Sequence, residues 1–265
     1  MLNAYRMTLN RDVKDKERLC ISIGMIQDYN AHLRQSLPTY GVVQMAVHAA
    51  QLLGYTTLSR VSEYLLVSDE AEHLLVSECV LFEMGSGCLV PSCEILGRDL
   101  ARVTGCVIDI LSAKNDPEHK GHRMLFSKAD LTDARQTYCI TTALWTYAQS
   151  AHPTRGRSFF YIAHLNWTLK PPYFNACLKE MAIYFSLDPT RVSSHSLRIG
   201  GASALAAAGV PDYIILDMGR WKSLAFLTYV RRTTQMFEVA RYALSRNDLI
   251  TLDTIRLMHP RCSTG

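Results

Sequence analysis

The segment Ser193–Arg232 reads SSHSLRIGGASALAAAGVPDYIILDMGRWKSLAFLTYVRR. An imidazole, His195, stands three residues ahead of a guanidinium, Arg198. Ser193 or Ser194 can cap a helix that starts at His195, and residues three apart on a helix share one face. A helix N-terminus carries free N–H groups and a partial positive charge, which favour an anion. Arginine can grip two phosphate oxygens at once. The pair therefore suits a phosphate, although His-x-x-Arg also arises by chance in many helices. Gly209 suits the end of this helix, and Pro211 the first turn of the next, PDYIILDMG. Trp221 and Tyr229 follow, among Arg220, Lys222, Arg231 and Arg232.

The rest of the chain must position these groups. Its 265 residues, 48% hydrophobic and 20% charged, suffice for one large domain or two modest ones with a real core. The net charge of +4 says little, but its distribution is uneven. Residues 66–99 hold seven acids against one base, and residues 191–246 hold eight bases against three acids. A basic C-terminal block fits a polyanion-facing surface; a solvated helix face is the bland alternative. None of the eight cysteines forms a Cys-x-x-Cys pair, and none joins histidines at zinc-ligand spacing. Reduced, mostly buried thiols in an intracellular protein are expected, nuclear if the source is eukaryotic. No secretory leader or apolar run of transmembrane length is seen, so no membrane partner is expected.

Residues 1–18 read as a polar tail or linker. ISIGMIQDYNAHLRQ reads as a helix, and YGVVQMAVHAAQLLGYTTLSRVSEYLLV as a long helix or a pair broken near Gly54. CVLFEM, GCVIDILSA and HRMLFS read as three strands, the last two joined by the polar turn KNDPEHKG. DLTDARQTYCITTALWTYAQSA is helical, with Thr132 or Asp130 as its cap. KPPYFNACLKEMAIYFSL is a helix entered through two prolines. Helices, then a small antiparallel sheet, then helices make a mainly-α domain with a sheet at one edge, an α+β class without βαβ alternation.

The succession His-Ser-Leu-Arg, Gly-Arg-Trp-Lys-Ser, Thr-Tyr-Val-Arg-Arg resembles the C-terminal signature of the tyrosine recombinases, the phage-integrase family. Upstream, LSRVSEYL resembles that family's first-arginine motif, with Arg60 as the arginine and Glu63 as its acidic neighbour. The turn SAKND resembles the family's lysine hairpin and offers Lys114, with Lys120 as the rival in the same turn. His195 and Arg198 match the His-x-x-Arg box, Trp221 the His-or-Trp position, and Tyr229 the nucleophile, with Tyr242 as its rival. Six positions thus fall in family order between residues 60 and 229. SRVSE, GRWKS and YVRR lean toward the recombinases of Crypton and DIRS-type eukaryotic mobile elements. There are departures. Trp221 precedes Tyr229 by eight residues, and Arg220 stands at the nine usual in many bacterial members. Asn115 replaces the usual threonine after the lysine. The family's N-terminal core-binding domain, roughly one hundred residues, is expected to be missing or reduced.

The resemblance implies a tyrosine-recombinase-like catalytic domain at 19–246 and a C-terminal tail at 247–265, possibly packing in trans on another copy. It implies a site-specific recombinase or integrase that cuts and rejoins double-stranded DNA through a 3′-phosphotyrosyl link. No metal, nucleotide or other cofactor is implied. Arg60 and Arg198 would hold the non-bridging oxygens, His195 would hydrogen-bond or move a proton, and Lys114 would protonate the leaving 5′-oxygen. Trp221 would add an indole N–H, and Glu63 would orient Arg60. Arg220, Lys222, Arg231, Arg232 and Lys120 would contact DNA, and a homodimer or tetramer would assemble on it. Two alternatives stand: a type IB topoisomerase-like enzyme, and a DNA-binding remnant without catalysis. Bland roles also stand, with Arg60 as a helix cap, Trp221 as a core aromatic and Lys114 as a solvated turn residue.

A substrate with a 5′-bridging sulfur has a leaving group that needs no protonation. Lys114→Ala is expected to lose about 10²–10⁴-fold in cleavage rate on normal DNA and to recover on the sulfur substrate, whereas Lys120→Ala changes little on either. Single-turnover cleavage of both substrates checks the assignment. Sulfur rescue of Lys120→Ala alone would transfer the role to Lys120.

Overall fold

The computed structural model describes residues 18–37, 40–67, 75–111, 121–132 and 138–231. Its helices are α1 (Ile23–Ser36), α2 (Val42–Thr56), the single turn α3 (Val61–Tyr64), α4 (Ile140–Ala151), α5 (Pro171–Tyr184), α6 (Ser194–Ala207) and α7 (Asp212–Gly219). Four strands, β1 (Val80–Met84), β2 (Leu89–Pro91), β3 (Val103–Ile110) and β4 (His122–Ser127), form one antiparallel sheet in the order β2-β1-β3-β4. A short hairpin pairs β5 (Tyr161–Ile162) with β6 (Trp167–Thr168). The architecture is the expected mainly-α domain with a small antiparallel sheet. These residues form one unit ending at Arg231. The remainder of the expected 19–246 domain, the 247–265 tail, Arg232, Tyr242, Lys114 and Lys120 lie outside the described residues. Among the described residues no helix is long and apolar enough to cross a membrane.

Helix α2 is central because it is apolar almost all round: Ala46, Val47, Ala49, Ala50, Leu52, Leu53 and Tyr55 are all buried. It packs against α1, α4 and α6. On β1, Val80, Phe82 and Met84 are buried while Leu81 and Glu83 are more exposed, the alternation of a sheet with one face on the core. Phe82 meets Trp145 of α4 edge-to-face at 4.9 Å, which joins sheet to helices. Tyr64 packs edge-on against Phe160 and Phe174 and ties α3 to the aromatic centre.

Several expectations are corrected. The chain does not break at Gly54. Helix α2 runs through it to Thr56, and a Cβ there would lie 2.7 Å from the Tyr64 hydroxyl, so the glycine marks close packing. The break comes at Leu58, which is buried with a left-handed φ of 51°. The helix read from Asp130 starts at Ile140, with Cys139 as its cap, the Cys139 Sγ accepting from the Thr142 N–H. Asp130 instead closes a local turn, accepting from the Thr132 N–H and hydroxyl at 3.0 and 2.6 Å, work for which aspartate is as well suited as for a helix cap. Pro211 is the N-cap of α7 and stands just ahead of its first turn. Strand β2 and the β5–β6 hairpin were not expected, being too short to show a period. Of the seven described cysteines, all free, Cys79, Cys106 and Cys139 are buried while Cys20 and Cys88 are exposed, fewer buried thiols than expected.

Helix α6 is capped by Ser193, whose backbone N–H donates to the Ser196 hydroxyl at 3.2 Å. The extended segment at Leu19–Ile21 lies along it, with the Ile21 N–H donating to the Ser196 carbonyl at 3.1 Å. A Cβ at Gly200 would fall on the Ile21 carbonyl oxygen. Gly200→Ala is therefore expected to destabilise the fold by about 1–3 kcal/mol, the usual cost of overpacking. Urea unfolding of the two proteins measures it, and an unchanged midpoint would contradict the packing.

Candidate active site

The first turn of α6 places His195 and Arg198 together. Arg198 is 1% exposed. Its Nη2 donates to the Gly219 carbonyl at 2.5 Å, and its Cζ lies 4.3 Å from the centre of the Trp221 ring and 5.5 Å from that of Tyr229. Such stacking is a usual place for a guanidinium. The Arg198 Nε and Nη1 and the Trp221 Nε1 are buried without a partner among the described residues. Burial, then the Arg60 charge, pulls the Arg198 guanidinium down to about 10 despite the opposing Glu63.

Tyr229 follows a 3₁₀ turn, Leu224–Thr228, and its N–H donates to the Phe226 carbonyl at 2.8 Å. Phe226 anchors that turn in a small second core with Leu58, Ala202 and Ile215. The Tyr229 ring is 4.9 Å from His195 and 5.2 Å from Trp221, centre to centre. Trp221 also packs on Phe226 at 6.0 Å and covers Gly219, where a Cβ would fall inside the indole. Its aromatic packing role and its place beside Arg198 therefore coexist.

Arg60 is the N-cap of α3, and Glu63 folds back on it. The Arg60 backbone N–H donates to Glu63 Oε2 at 2.8 Å and its Nη1 to Oε1 at 3.1 Å. Helix cap and motif arginine are thus the same residue. Glu63 is 2% exposed and takes a further bond from Arg220 Nη2 at 2.5 Å. Arg60 lowers the pKa of both His195 and Arg198 electrostatically, and Glu63 raises that of Arg198, so the four groups form one neighbourhood.

The structure brings Arg60, Glu63, His195, Arg198, Arg220, Trp221 and Tyr229 together. Lys222 is exposed. Arg231 sits beside the tyrosine turn: its N–H donates to Ser203 Oγ at 2.8 Å and its Nη1 to the Thr228 carbonyl at 2.8 Å. Two further residues join the site. Arg18, within the segment read as a tail, donates to Ser193 Oγ at 2.6 Å and bears on His195 electrostatically. His122, the first residue of β4, pairs with Ile110 and is held low by burial and then by Arg220, against Asp217 and Glu63. Nothing local in the sequence marks either one.

Arg60 and Arg220 donate to one buried carboxylate, Glu63, while Arg198, Arg18, Arg60 and Arg231 bear on His195 beside it. With buried donors still unpartnered, the arrangement can bind an anion and set a tyrosine oxygen near it. Neither a protein-family model nor a curated protein sequence matches the chain. Solved structures do. The crystal structure of XerA recombinase superposes with a TM-score of 0.50 at 12% identity, covering 90% of this chain and 67% of that one. XerH site-specific recombinase, bound to palindromic difH substrate in a post-cleavage complex, gives 0.52 at 12% identity, covering 89% and 55%. The fold is that of a tyrosine-recombinase catalytic domain. The chain spans little more than half the length of XerH.

The His195 imidazole is pulled down to about 4, first by burial and then by Arg198, Arg18, Arg60 and Arg231. An unfolded chain has its histidines near 6.5, so between roughly pH 6.5 and 4 it takes up protons that the folded protein does not. Stability present above that window is expected to fall as pH drops through it. His48, half-buried and held near 4 by desolvation and then by Arg34, adds to the same slope. Urea midpoints between pH 4.5 and 7.5 should fall with pH, and less steeply in His195→Asn. An imidazole NMR titration placing His195 at 6 or above would refute the electrostatics.

Proposed function

We propose that this protein is a DNA strand-transferring tyrosine recombinase. The observation that carries the reading is the buried, partly unpartnered Arg198 guanidinium, stacked on Trp221 and Tyr229 and neighboured by His195 and Arg60. Buried unpartnered donors are costly, and a phosphodiester oxygen would relieve that cost. In the proposed reaction the Tyr229 Oη forms a bond to the scissile phosphorus while the bond from phosphorus to the 5′-oxygen breaks. Neutral His195 accepts the tyrosine proton, after which the imidazolium hydrogen-bonds a phosphate oxygen, and Lys114 supplies the proton taken by the 5′-oxygen. Arg60, Arg198 and the Trp221 N–H stabilise charge on the non-bridging oxygens. The phosphotyrosyl bond conserves the energy of the phosphodiester, so religation to a new strand needs no nucleotide triphosphate, and the arginines take the role a divalent metal has elsewhere.

Double-stranded DNA is the proposed partner, contacted by Lys222, Arg231, Arg232 and Lys120, with homo-oligomeric assembly on the DNA. Mobile-element integration, of Crypton or DIRS type, is the finer proposal and rests on SRVSE, GRWKS and YVRR. A nuclear site goes with a eukaryotic source. The recombinase fold neighbours favour exchange between two sites over topoisomerase-like relaxation, and the intact set of site residues supports catalysis over a DNA-binding remnant.

Incubation with a nicked suicide duplex should give a covalent adduct on denaturing gels, unaffected by EDTA. Tyr229→Phe removes only the attacking oxygen and should abolish the adduct while DNA binding persists. An adduct surviving in Tyr229→Phe would refute the nucleophile, and activity lost with EDTA and restored by Mg²⁺ would overturn the scheme.

A further inference from the structure

Arg220 stands nine residues before Tyr229, among residues read as DNA contacts, yet its side chain is only 9% exposed. Its Nη2 donates to Glu63 Oε2 at 2.5 Å and to Ser59 Oγ at 3.1 Å. Its Nη1 donates to the Met218 carbonyl at 3.1 Å and to the Thr57 carbonyl at 3.4 Å. Lys222, two residues on, is exposed. Arg220 caps α7 in the left-handed region, with φ 55° and ψ 39°, and its partners flank Leu58, also left-handed. Non-glycine residues held there are strained and persist where surrounding contacts fix them. Here one guanidinium fastens the turn before α3 to the turn after α7.

The consequence runs through Glu63. Its Oε1 accepts from Arg60 Nη1, while its Oε2 accepts from the Arg60 backbone and from Arg220. A buried carboxylate needs its full set of donors to keep one orientation. We propose that Arg220 is a positioning residue: by holding Glu63 it fixes the Arg60 guanidinium at the phosphate site, and it makes no DNA contact itself. The proposal rests on the recombinase reading for its effect on rate, and on geometry alone for the tether.

The test uses the full chain and the variants Arg220→Gln, Glu63→Gln, their double, and Arg220→Lys. Three quantities are read: melting temperature without DNA, salt dependence of affinity for an unnicked duplex, and single-turnover cleavage of the suicide duplex at saturating protein. Arg220→Gln should lose about 10²-fold in cleavage, the scale of a misplaced reacting group, with an unchanged salt slope. Glu63→Gln should lose a similar factor, and the double variant no more than the larger single loss. Melting temperatures should show the same non-additivity. Arg220→Lys keeps the charge but cannot span Glu63, Ser59 and two carbonyls. It should bind DNA like the wild type and cleave slowly, and it decides the matter if Arg220→Gln does not fold.

A salt slope shallower by about 0.9 in Arg220→Gln, with cleavage at saturation unchanged, would identify a phosphate contact and overturn the proposal. Rate and melting losses that simply sum between Arg220→Gln and Glu63→Gln would also overturn it. If the wild type forms no adduct, the recombinase reading fails. The melting cycle still decides the tether: a double variant no less stable than the worse single one upholds it, and summed losses refute it.

Discussion

A guanidinium buried to 1% exposure governs the organisation of this site. Charge taken out of water must be compensated by fixed partners. Arg198 donates one bond to a carbonyl, lies against two aromatic faces and is favoured by the Glu63 charge, while Arg60 and Arg220 oppose it. The surrounding elements serve that arrangement. Gly219 supplies the carbonyl and, lacking a Cβ, leaves room for the indole that covers the cation. The second small core holds Phe226, and through it the turn that sets the Tyr229 ring against His195.

The balance of charge is deliberately incomplete in a physical sense: one buried carboxylate faces several arginines. Its proximity keeps α3 and α7 joined, yet it does not neutralise the cluster. An excess of positive charge with buried, unpartnered donors is costly in the free protein and is relieved by an anion. Burial, and then the same field, keeps His195 neutral, so the imidazole near the tyrosine retains an acceptor nitrogen at neutral pH. Under the proposed reading, stability of the free protein and readiness to hold a phosphate are opposed, a trade common at functional sites.

Rigidity comes from the helices. Helix α6 is pinned by α2 on one side and by the Leu19–Ile21 segment on another, with Gly200 permitting the approach. Its first turn, bearing His195 and Arg198, is therefore fixed by packing on several sides. The end of the β3–β4 pair where Ile110 meets His122 enters the same neighbourhood, and His122, lowered first by burial, feels Arg220, Asp217 and Glu63.

Local rules made much of this legible in the sequence. Helical spacing put His195 and Arg198 on one face, Ser193 or Ser194 and Gly209 bounded their helix, and a short apolar run marked β1, because each depends on residues a few positions apart. The three-residue step from Arg60 to Glu63 is equally local. Tertiary structure alone decided the rest. That Arg220 bonds Glu63, 157 positions earlier, follows from two left-handed turns at Leu58 and Arg220, and neither residue type announces that conformation. That Arg18 joins the site follows from an extended segment finding the edge of α6. Strand β2 exists because β1 offers it an edge, not because three residues carry a period. Which nitrogens of Arg198 remain unpartnered is likewise a property of burial, and burial is the sum of contacts from segments that meet only when the chain has folded.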